Sequence, residues 1–255
     1  MNRQLPVGTC LWHAVNSVRN NLRHAFRVSW PWLLILVLLG AVVVTIVASA
    51  GDDVSVAGFS AILIWILAAM LAGAAIAVHW HRYILLDEVA RLGDVLRLDN
   101  KTWRYFGNIV LIALIVGGIQ TIVMYPIRAV IGGNENVVES VISLILALVC
   151  GVISYRLGVK LPAIALDRQD FRFSRAWEAT RGNDLKLFFV FLIQLVVTLL
   201  IVVGLYLLAI GLTILHPALG VIGFIILLMF LWLLSIFNIT ILTSLYGFFV
   251  ENRDF

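Results

Sequence analysis

Residues 187–249 read LFFVFLIQLVVTLLIVVGLYLLAIGLTILHPALGVIGFIILLMFLWLLSIFNITILTSLYGFF, and no Asp, Glu, Lys or Arg interrupts them. A membrane-spanning helix needs about 20 apolar residues to cross a hydrocarbon core about 30 Å thick. This stretch is long enough for two crossings, with a turn between them at His216-Pro217. The sequence therefore predicts a hairpin of two transmembrane helices.

The rest of the chain has the same character. Of its 255 residues, 62% are hydrophobic and only 13% are charged, whereas a soluble domain has about a quarter charged residues. Six stretches are long and apolar enough to span a membrane. They are residues 29–50, 57–80, 105–127, 137–159, 186–213 and 218–249. We predict an all-α polytopic membrane protein with six transmembrane helices, and residues 1–255 form a single membrane domain.

The spans group into three hairpins at residues 29–80, 105–159 and 186–249, after a cytoplasmic amphipathic helix in 1–28. Each hairpin follows an amphipathic segment with aromatic and basic residues. Each also ends in an apolar run that leads into an acid, at Asp87, Asp167 and Glu251. Internal repeats are common in membrane folds. Either the hairpins repeat one structural unit, or they resemble each other by composition alone.

The basic residues indicate the orientation. Seventeen of the eighteen Lys and Arg residues fall on one side of a six-crossing topology, and Arg128 falls on the other. Short loops rich in Lys and Arg stay in the cytoplasm, so we expect both termini to be cytoplasmic. Arg128 is expected to pair with Glu139 or Glu135. An acid-free N-terminus with several arginines also resembles a mitochondrial transit peptide, which is the alternative interpretation of residues 1–28.

Residues 10–27 carry an apolar stripe at helical spacing, widened by Trp12. Arg19, Arg23 and Arg27 recur every four residues on another face. Such a helix is expected to lie in the headgroup plane, with its apolar face in the acyl chains and its arginines toward anionic phosphates. The alternative is a helix that simply packs against the cytoplasmic ends of the bundle.

A second basic segment, residues 170–186, precedes the fifth span. It offers Arg172, Arg175, Trp177 and Arg181 as further lipid- or partner-binding residues. We expect Ser174 to cap a short helix here, because serine accepts hydrogen bonds from the first turn of a helix. The cytoplasmic face is therefore predicted to be a layer of amphipathic helices under the six-helix bundle.

No span has an ionisable group near its centre, although transporters and proton relays usually need one. Gln120, Gln194 and Asn238 are the candidates for a polar path between hairpins. The alternative is that they hydrogen-bond between helices. Small residues at four-residue spacing, including Gly73, Gly117 and Gly151, predict close helix–helix contacts in spans two to four.

Motifs that would indicate an enzyme are missing. His79 and His81 are two residues apart, so on a helix they point to nearly opposite faces and do not bind one metal together. There is no Gly-rich phosphate loop and no nucleophile elbow. Cys10 and Cys150 are not expected to form a disulfide. We expect no catalytic residues, no cofactor, no metal site and no nucleic-acid partner.

The stretch Leu161-Pro162-Ala163-Ile164-Ala165-Leu166-Asp167 and the segment Ser174-Arg175-Ala176-Trp177-Glu178-Ala179-Thr180-Arg181-Gly182-Asn183 carry a resemblance. They are similar to the six-helix membrane domain attached to some bacterial glycerophosphodiester phosphodiesterases, and to its stand-alone relatives. The phosphodiesterase catalytic domain is absent from this sequence, so its metal site and activity do not carry over. The resemblance implies a bacterial inner-membrane protein with a link to lipids.

Two functions are consistent with these observations. The first is a non-enzymatic inner-membrane protein that contacts anionic lipid or a partner protein through its basic cytoplasmic face. The alternative is a small-solute transporter or channel with a polar path between the hairpins. The second function requires a cavity that reaches the middle of the membrane beside Gln120, Gln194 and Asn238.

Overall fold

The computed structural model describes residues 3–49, 56–131 and 137–255. Within these ranges the chain forms ten helices and no strand. They are α1 (Val7–Asn20), α2 (Leu22–Ser49), α3 (Val56–Leu86), α4 (Leu92–Val95), α5 (Asn100–Ile131), α6 (Val137–Gly158), α7 (Lys160–Ala165), α8 (Phe173–Ala179), α9 (Asp184–Leu215) and α10 (Pro217–Phe249).

Six segments of the described chain are long and apolar enough to cross a membrane, and each matches one predicted span. Residue 50, the predicted end of the first span, lies outside the described residues. They are Leu22–Ser49, Val56–Leu86, Leu92–Ala129, Val137–Ala165, Asp184–Leu215 and Pro217–Phe249. The predicted all-α fold with six transmembrane helices is therefore confirmed, and the chain is a multi-pass membrane protein. The placement of the short helices in the headgroup plane stays a prediction.

The turn at His216 has a local cause. Pro217 takes the first position of α10, where a missing N–H costs nothing, and the His216 Nδ1 atom accepts a hydrogen bond from the Ala218 N–H at 3.1 Å. Glycine then allows α9 and α10 to meet closely: a Cβ on Gly223 would lie 2.8 Å from the Cα of Ala209. The last hairpin is therefore tightly closed at this end.

The second helices of the hairpins form the centre of the bundle. α3, α10 and the α6–α7 pair all contact one another, while α2, α5 and α9 pack outside them. Each outer helix packs on its own partner, and α5 and α9 also pack on the second helix of the preceding hairpin. α2 likewise packs on the second helix of the last hairpin, since its Val28 and Trp32 cluster with Ile236 of α10. The three hairpins therefore follow one another in a closed ring.

The short helices follow the same cyclic order. α1 packs on α9 and α10, α4 packs on α2 and α3, and α8 packs on α6. Each short helix therefore packs on the hairpin that precedes the one it leads into. α1 leads into the first hairpin and packs on the last one. This arrangement supports the interpretation of the three hairpins as a repeated unit.

The ends of the second helices are also alike. Among the described residues other than glycine, positive φ occurs at Asp87, Asp167 and Asn252, each within three residues of such an end. Three arginines connect these ends in a circle. Arg82 donates to the Ala165 carbonyl at 2.9 Å, Arg168 to Glu251 at 3.1 Å and Arg253 to the Leu85 carbonyl at 2.9 Å.

The buried core lies at the end of the bundle where α2 begins and α3 and α10 end, which we call the basic end. The large, fully buried side chains there include Trp80, Tyr105, Ile164, Leu187 and Tyr246. Toward the opposite end, most apolar side chains of the spans are exposed, as expected for helices that face lipid. The hairpins are therefore joined mainly at the basic end.

Helix length sets the depth of this core. If the hydrocarbon begins at the His216 turn, about 20 residues at a rise of about 1.5 Å each bring its other boundary near Val196 and Ile236. The buried polar residues Thr240, Thr243 and Ser244 lie beyond that boundary. With the hydrocarbon placed in this way, part of the basic end is a packed cap outside it.

Three details differ from the sequence-based expectations. The helix expected over residues 10–27 breaks at Asn21 and becomes α1 and the start of α2. Ser174 does not cap α8: the capping position is Arg172, and no side chain bonds there. Gly151 does allow a close contact, with Phe191, but a Cβ on Gly73 or Gly117 would meet nothing within 4 Å.

Candidate functional site

The corner between α1 and α2 is held by side chains on both sides of the break. Asn21 has φ −124° and ψ 24°, outside the helical range. Its amide group donates to the Ser17 carbonyl at 2.8 Å and accepts from the Tyr83 hydroxyl at 2.7 Å. The ring of His24 stacks on Tyr83 with 3.7 Å between centroids. The corner is thus anchored to α3.

α1 has a buried face and an exposed apolar face. Cys10, Ala14 and Val18 are buried where α1 packs on the bundle, so α1 is a packing helix on that side. Trp12 is 61% exposed, and Phe26 of α2 is 56% exposed. Exposed aromatic side chains are typical of the boundary between lipid and water.

The three predicted arginines of this corner are exposed and lack acidic partners. In the described ranges, nine Lys and Arg residues form ion pairs with acids. They are Arg3, Arg82, Lys101, Arg104, Arg128, Arg156, Arg168, Arg175 and Arg253. Arg19, Arg23 and Arg27 pair with none of the described acids. Their positive charge is therefore not neutralised within this part of the chain.

The second predicted set of binding residues lies elsewhere. Gln4 and Leu5, which precede α1, contact Gly182 and Asn183, whereas Arg19 lies at the other end of α1. A helix of 14 residues is about 20 Å long. The structure therefore does not bring Arg172, Arg175, Trp177 and Arg181 to the α1–α2 corner.

This second set is also largely occupied within the protein. Arg175 pairs with Asp170 at 2.5 Å. The Trp177 ring lies under the Arg156 guanidinium, 3.8 Å from its centroid. Arg172 is exposed and precedes α8. The α1–α2 corner is therefore the stronger candidate for binding an external anion.

An apolar groove opens beside the corner, and we call it the α1 groove. It has a volume of about 380 Å³. The lining residues come from the corner and from the last hairpin. They are Val15, Val18, Arg19, Leu22, Val197, Ile201, Phe230, Leu233, Leu234 and Phe237. The groove thus brings one exposed arginine next to a long apolar surface.

Two of the three residues of the predicted polar path lie together, and the third lies elsewhere. Gln194 donates to the Asn238 side-chain oxygen at 2.5 Å and accepts from the Tyr155 hydroxyl. Gln120 lines a separate cavity of about 470 Å³ between α5 and α6, with Thr121 and Ser143. Gln194 and Asn238 thus bond between helices, while Gln120 lines the cavity between α5 and α6.

Arg128 also lines that cavity. The Arg128 Nε atom donates to the Glu139 carboxylate at 2.6 Å, which confirms the predicted pairing of the lone Arg on its side. Glu135, the other predicted partner, lies outside the described residues.

Arg156 is a buried centre of hydrogen bonds that sequence reasoning missed. It is 6% exposed and donates to Thr180 at 3.1 Å, Asp184 at 2.6 Å and the Trp177 carbonyl at 2.9 Å. These bonds tie α6 to α8 and α9. A basic residue near the end of a span usually reaches toward the water, whereas Arg156 turns to partners inside the bundle.

His81 is the second buried centre. Its Nδ1 atom lies 2.8 Å from the Thr243 hydroxyl, and its Nε2 atom lies 2.9 Å from the Tyr105 hydroxyl. Thr243 donates its own proton to the Ile239 carbonyl, so Nδ1 must donate and Nε2 must accept from Tyr105. All three groups are buried, and the chain of bonds connects α3, α5 and α10 as a structural element.

The residues that carry the family resemblance also have structural roles. Asn183 is buried, accepts from the Leu5 N–H at 2.8 Å and donates to the Arg3 carbonyl at 2.9 Å. Gly182 has φ +79°, a conformation that glycine adopts without strain. Together they fasten the N-terminal segment to the start of α9.

Burial changes the acid–base properties of α1. Burial raises the pKa of the Cys10 thiol to about 12, so the thiol is neutral at physiological pH. Burial also lowers the pKa of His13, whose ring bonds to the Ser244 hydroxyl at 3.0 Å. Neither group offers a charge to a ligand near neutral pH, which leaves the arginines as the charged groups of this helix.

Among the described ranges, no three His, Cys, Asp or Glu side chains lie close enough to hold a metal ion. Comparison with family models, curated proteins and solved structures finds no match to this chain. The resemblance to the phosphodiesterase membrane domains therefore stays a prediction.

Proposed function

We propose that this chain is a non-enzymatic protein of the bacterial inner membrane that contacts anionic lipid, or a partner protein, through its basic face. The termini and the basic end are cytoplasmic in this proposal, in line with the distribution of Lys and Arg. The bacterial origin is supported by the resemblance of residues 161–183. Lipid is the partner that we consider first.

One observation carries the proposal. Arg19, Arg23 and Arg27 follow one another at an anchored corner, without acidic partners among the described residues, beside the exposed aromatic rings of Trp12 and Phe26. Each basic residue near an anionic membrane surface contributes about 1 kcal/mol of binding free energy. An aromatic side chain next to such a charge favours the headgroup region.

The test compares two charge-reversed variants with equal net charge. Arg19→Glu/Arg23→Glu removes positive charge at the corner, and Arg91→Glu/Arg97→Glu removes it from exposed arginines near α4. Native mass spectrometry of protein from mixed phosphatidylglycerol and phosphatidylcholine would measure lipid preference. We expect the corner variant to lose about tenfold or more of its preference for phosphatidylglycerol, and the α4 variant to keep it. Equal retention by both variants contradicts the lipid proposal.

A second candidate function is a small-solute transporter or channel, favoured by the cavity beside Gln120. Gln120 is about 8 residues from Arg128, or about 12 Å below the level of that residue, and the cavity is 470 Å³. Thr121 and Ser143 make the lining partly polar. The cavity therefore includes one of the three residues of the predicted polar path, Gln120, and neither Gln194 nor Asn238.

Glycerol flux into proteoliposomes, followed by light scattering, tests this second candidate. If the Gln120 cavity conducts solute, Gln120→Leu should lower the glycerol flux, because an apolar side chain removes both the donor and the acceptor of the amide. Gln194→Leu should not lower it, since Gln194 lies outside that cavity. Flux equal to that of protein-free vesicles for the unmodified chain would rule the candidate out.

A further inference from the structure

We propose that the α1 groove holds one acyl chain of an anionic phospholipid whose phosphate is bound by Arg19. This inference rests on the proposed function and makes it specific: one lipid, one site and one headgroup contact. It replaces a diffuse attraction between a basic face and a membrane with a defined binding geometry.

The lining of the groove is that of an acyl-chain site. Val197 and Ile201 of α9 face Phe230, Leu234 and Phe237 of α10 across a space of about 380 Å³. Phe237 lies near the boundary of the hydrocarbon, and Phe230 lies about 10 Å farther in. The groove thus extends from the headgroup level toward the middle of the membrane, in the direction that an acyl chain takes.

The charge at the groove is that of a phosphate site. Among the described residues that line the groove, Arg19 alone is charged, and it pairs with none of the described acids. Arg23 and Arg27 follow at four-residue spacing. An anion at this position would meet the Arg19 guanidinium, which none of the described acids neutralises, and hydrogen bonds from Arg to phosphate are among the strong ones.

The size and the lining of the groove favour a lipid over other occupants. Val15, Val18 and Leu22 of the corner line the groove together with residues of α9 and α10. A space of about 380 Å³ is too small to enclose a transmembrane helix about 10 Å wide, whereas a single acyl chain is narrow enough to lie in it. A free phosphate has no favourable contact with the apolar walls. A phospholipid satisfies both the walls and the arginine.

The experiment fills the groove and removes the charge separately. Ile201→Trp places a large ring in the groove, and Leu207→Trp, at an exposed position of α9 outside the groove, is the matched control. Arg19→Gln removes the charge alone. Native mass spectrometry would be recorded with phosphatidylglycerol, with phosphatidylcholine and with glycerol phosphate as the chain-free headgroup. The milder Val197→Phe replaces Ile201→Trp if the latter does not fold.

The expected result is one tightly retained phosphatidylglycerol on the unmodified chain and on Leu207→Trp, and at least a tenfold loss on Ile201→Trp. Arg19→Gln should keep a bound lipid but lose the preference for phosphatidylglycerol, and glycerol phosphate should not bind. Undiminished phosphatidylglycerol on Ile201→Trp overturns this inference, and so does a protein dimer or a bound helix in place of lipid. If Arg19→Glu/Arg23→Glu still loses lipid in that case, the proposed function stands without the groove.

Discussion

The guanidinium of Arg156 donates to three different partners while it is almost entirely buried. We predict that Arg156→Gln lowers the free energy of unfolding by roughly 2–3 kcal/mol, because hydrogen bonds from a charged donor are lost and their acceptors stay behind. Thermal or denaturant unfolding in detergent measures the change. Arg175→Gln is the control, since its pair with Asp170 is exposed and such pairs contribute less than about 1 kcal/mol. Equal effects of the two substitutions would contradict the role of Arg156.

His13 makes stability depend on pH. Burial lowers its pKa below the ordinary value of 6.5, so below that pH the unfolded chain binds a proton that the folded chain resists. Folding stability is therefore unaffected by His13 above pH 6.5 and falls as the pH drops below it. We expect the melting temperature of His13→Gln to fall less between pH 7.5 and 5.5 than that of the unmodified chain. A slope unchanged by His13→Gln would refute the assignment.

These residues show where sequence reasoning stops at the residue scale. The burial of Arg156 has no signal in the sequence, because a basic residue near the end of a span usually reaches toward water. Asn183 and His81 carried no signal, since burial depends on partners that are distant in sequence: Asn183 bonds to residues 3 and 5, and His81 bonds to Thr243. The three arginines of the corner are exposed, but the single helix expected to carry them breaks at Asn21, so Arg19 lies on α1 whereas Arg23 and Arg27 lie on α2.

At the scale of the element, the contact between α6 and α9 depends on one glycine. A methyl group on Gly151 would overlap the ring of Phe191, whereas one on Gly117 would meet nothing within 4 Å. Gly151→Ala should therefore destabilise the protein by about 1–3 kcal/mol. Gly117→Ala should be neutral or slightly stabilising, because alanine favours the helix. Unfolding of the two variants side by side checks this, and equal stabilities would argue against the close contact.

The spacing of small residues did not distinguish these two glycines. A pattern of small residues at four-residue intervals identifies a helix face on which neighbours are able to approach, but it does not identify which neighbour does. Gly73, Gly117 and Gly151 all fit the pattern, and of these three only Gly151 faces a side chain of another helix that closely. The break at Asn21 had a similar cause, since its bond to Tyr83 joins residues 62 positions apart.

At the scale of the whole molecule, hydropathy was sufficient to identify all six spans. It was not sufficient to arrange them, because helices such as α10 are apolar on every side and no stripe marks the inner face. The central position of α3, α6–α7 and α10 follows from long-range contacts. The contacts by which Arg82, Arg168 and Arg253 connect the hairpin ends likewise could not be predicted from the sequence. The sequence shows only that the three hairpin ends resemble one another.

The central claim is that an anionic phospholipid occupies the basic corner and the α1 groove. A cryo-EM density map of the protein in nanodiscs that contain phosphatidylglycerol tests it most directly. We predict continuous density for one acyl chain between Ile201 and Leu234, ending in a headgroup against Arg19. A groove that is closed by side chains or filled by another protein helix, with no headgroup near Arg19 or Arg23, would contradict it.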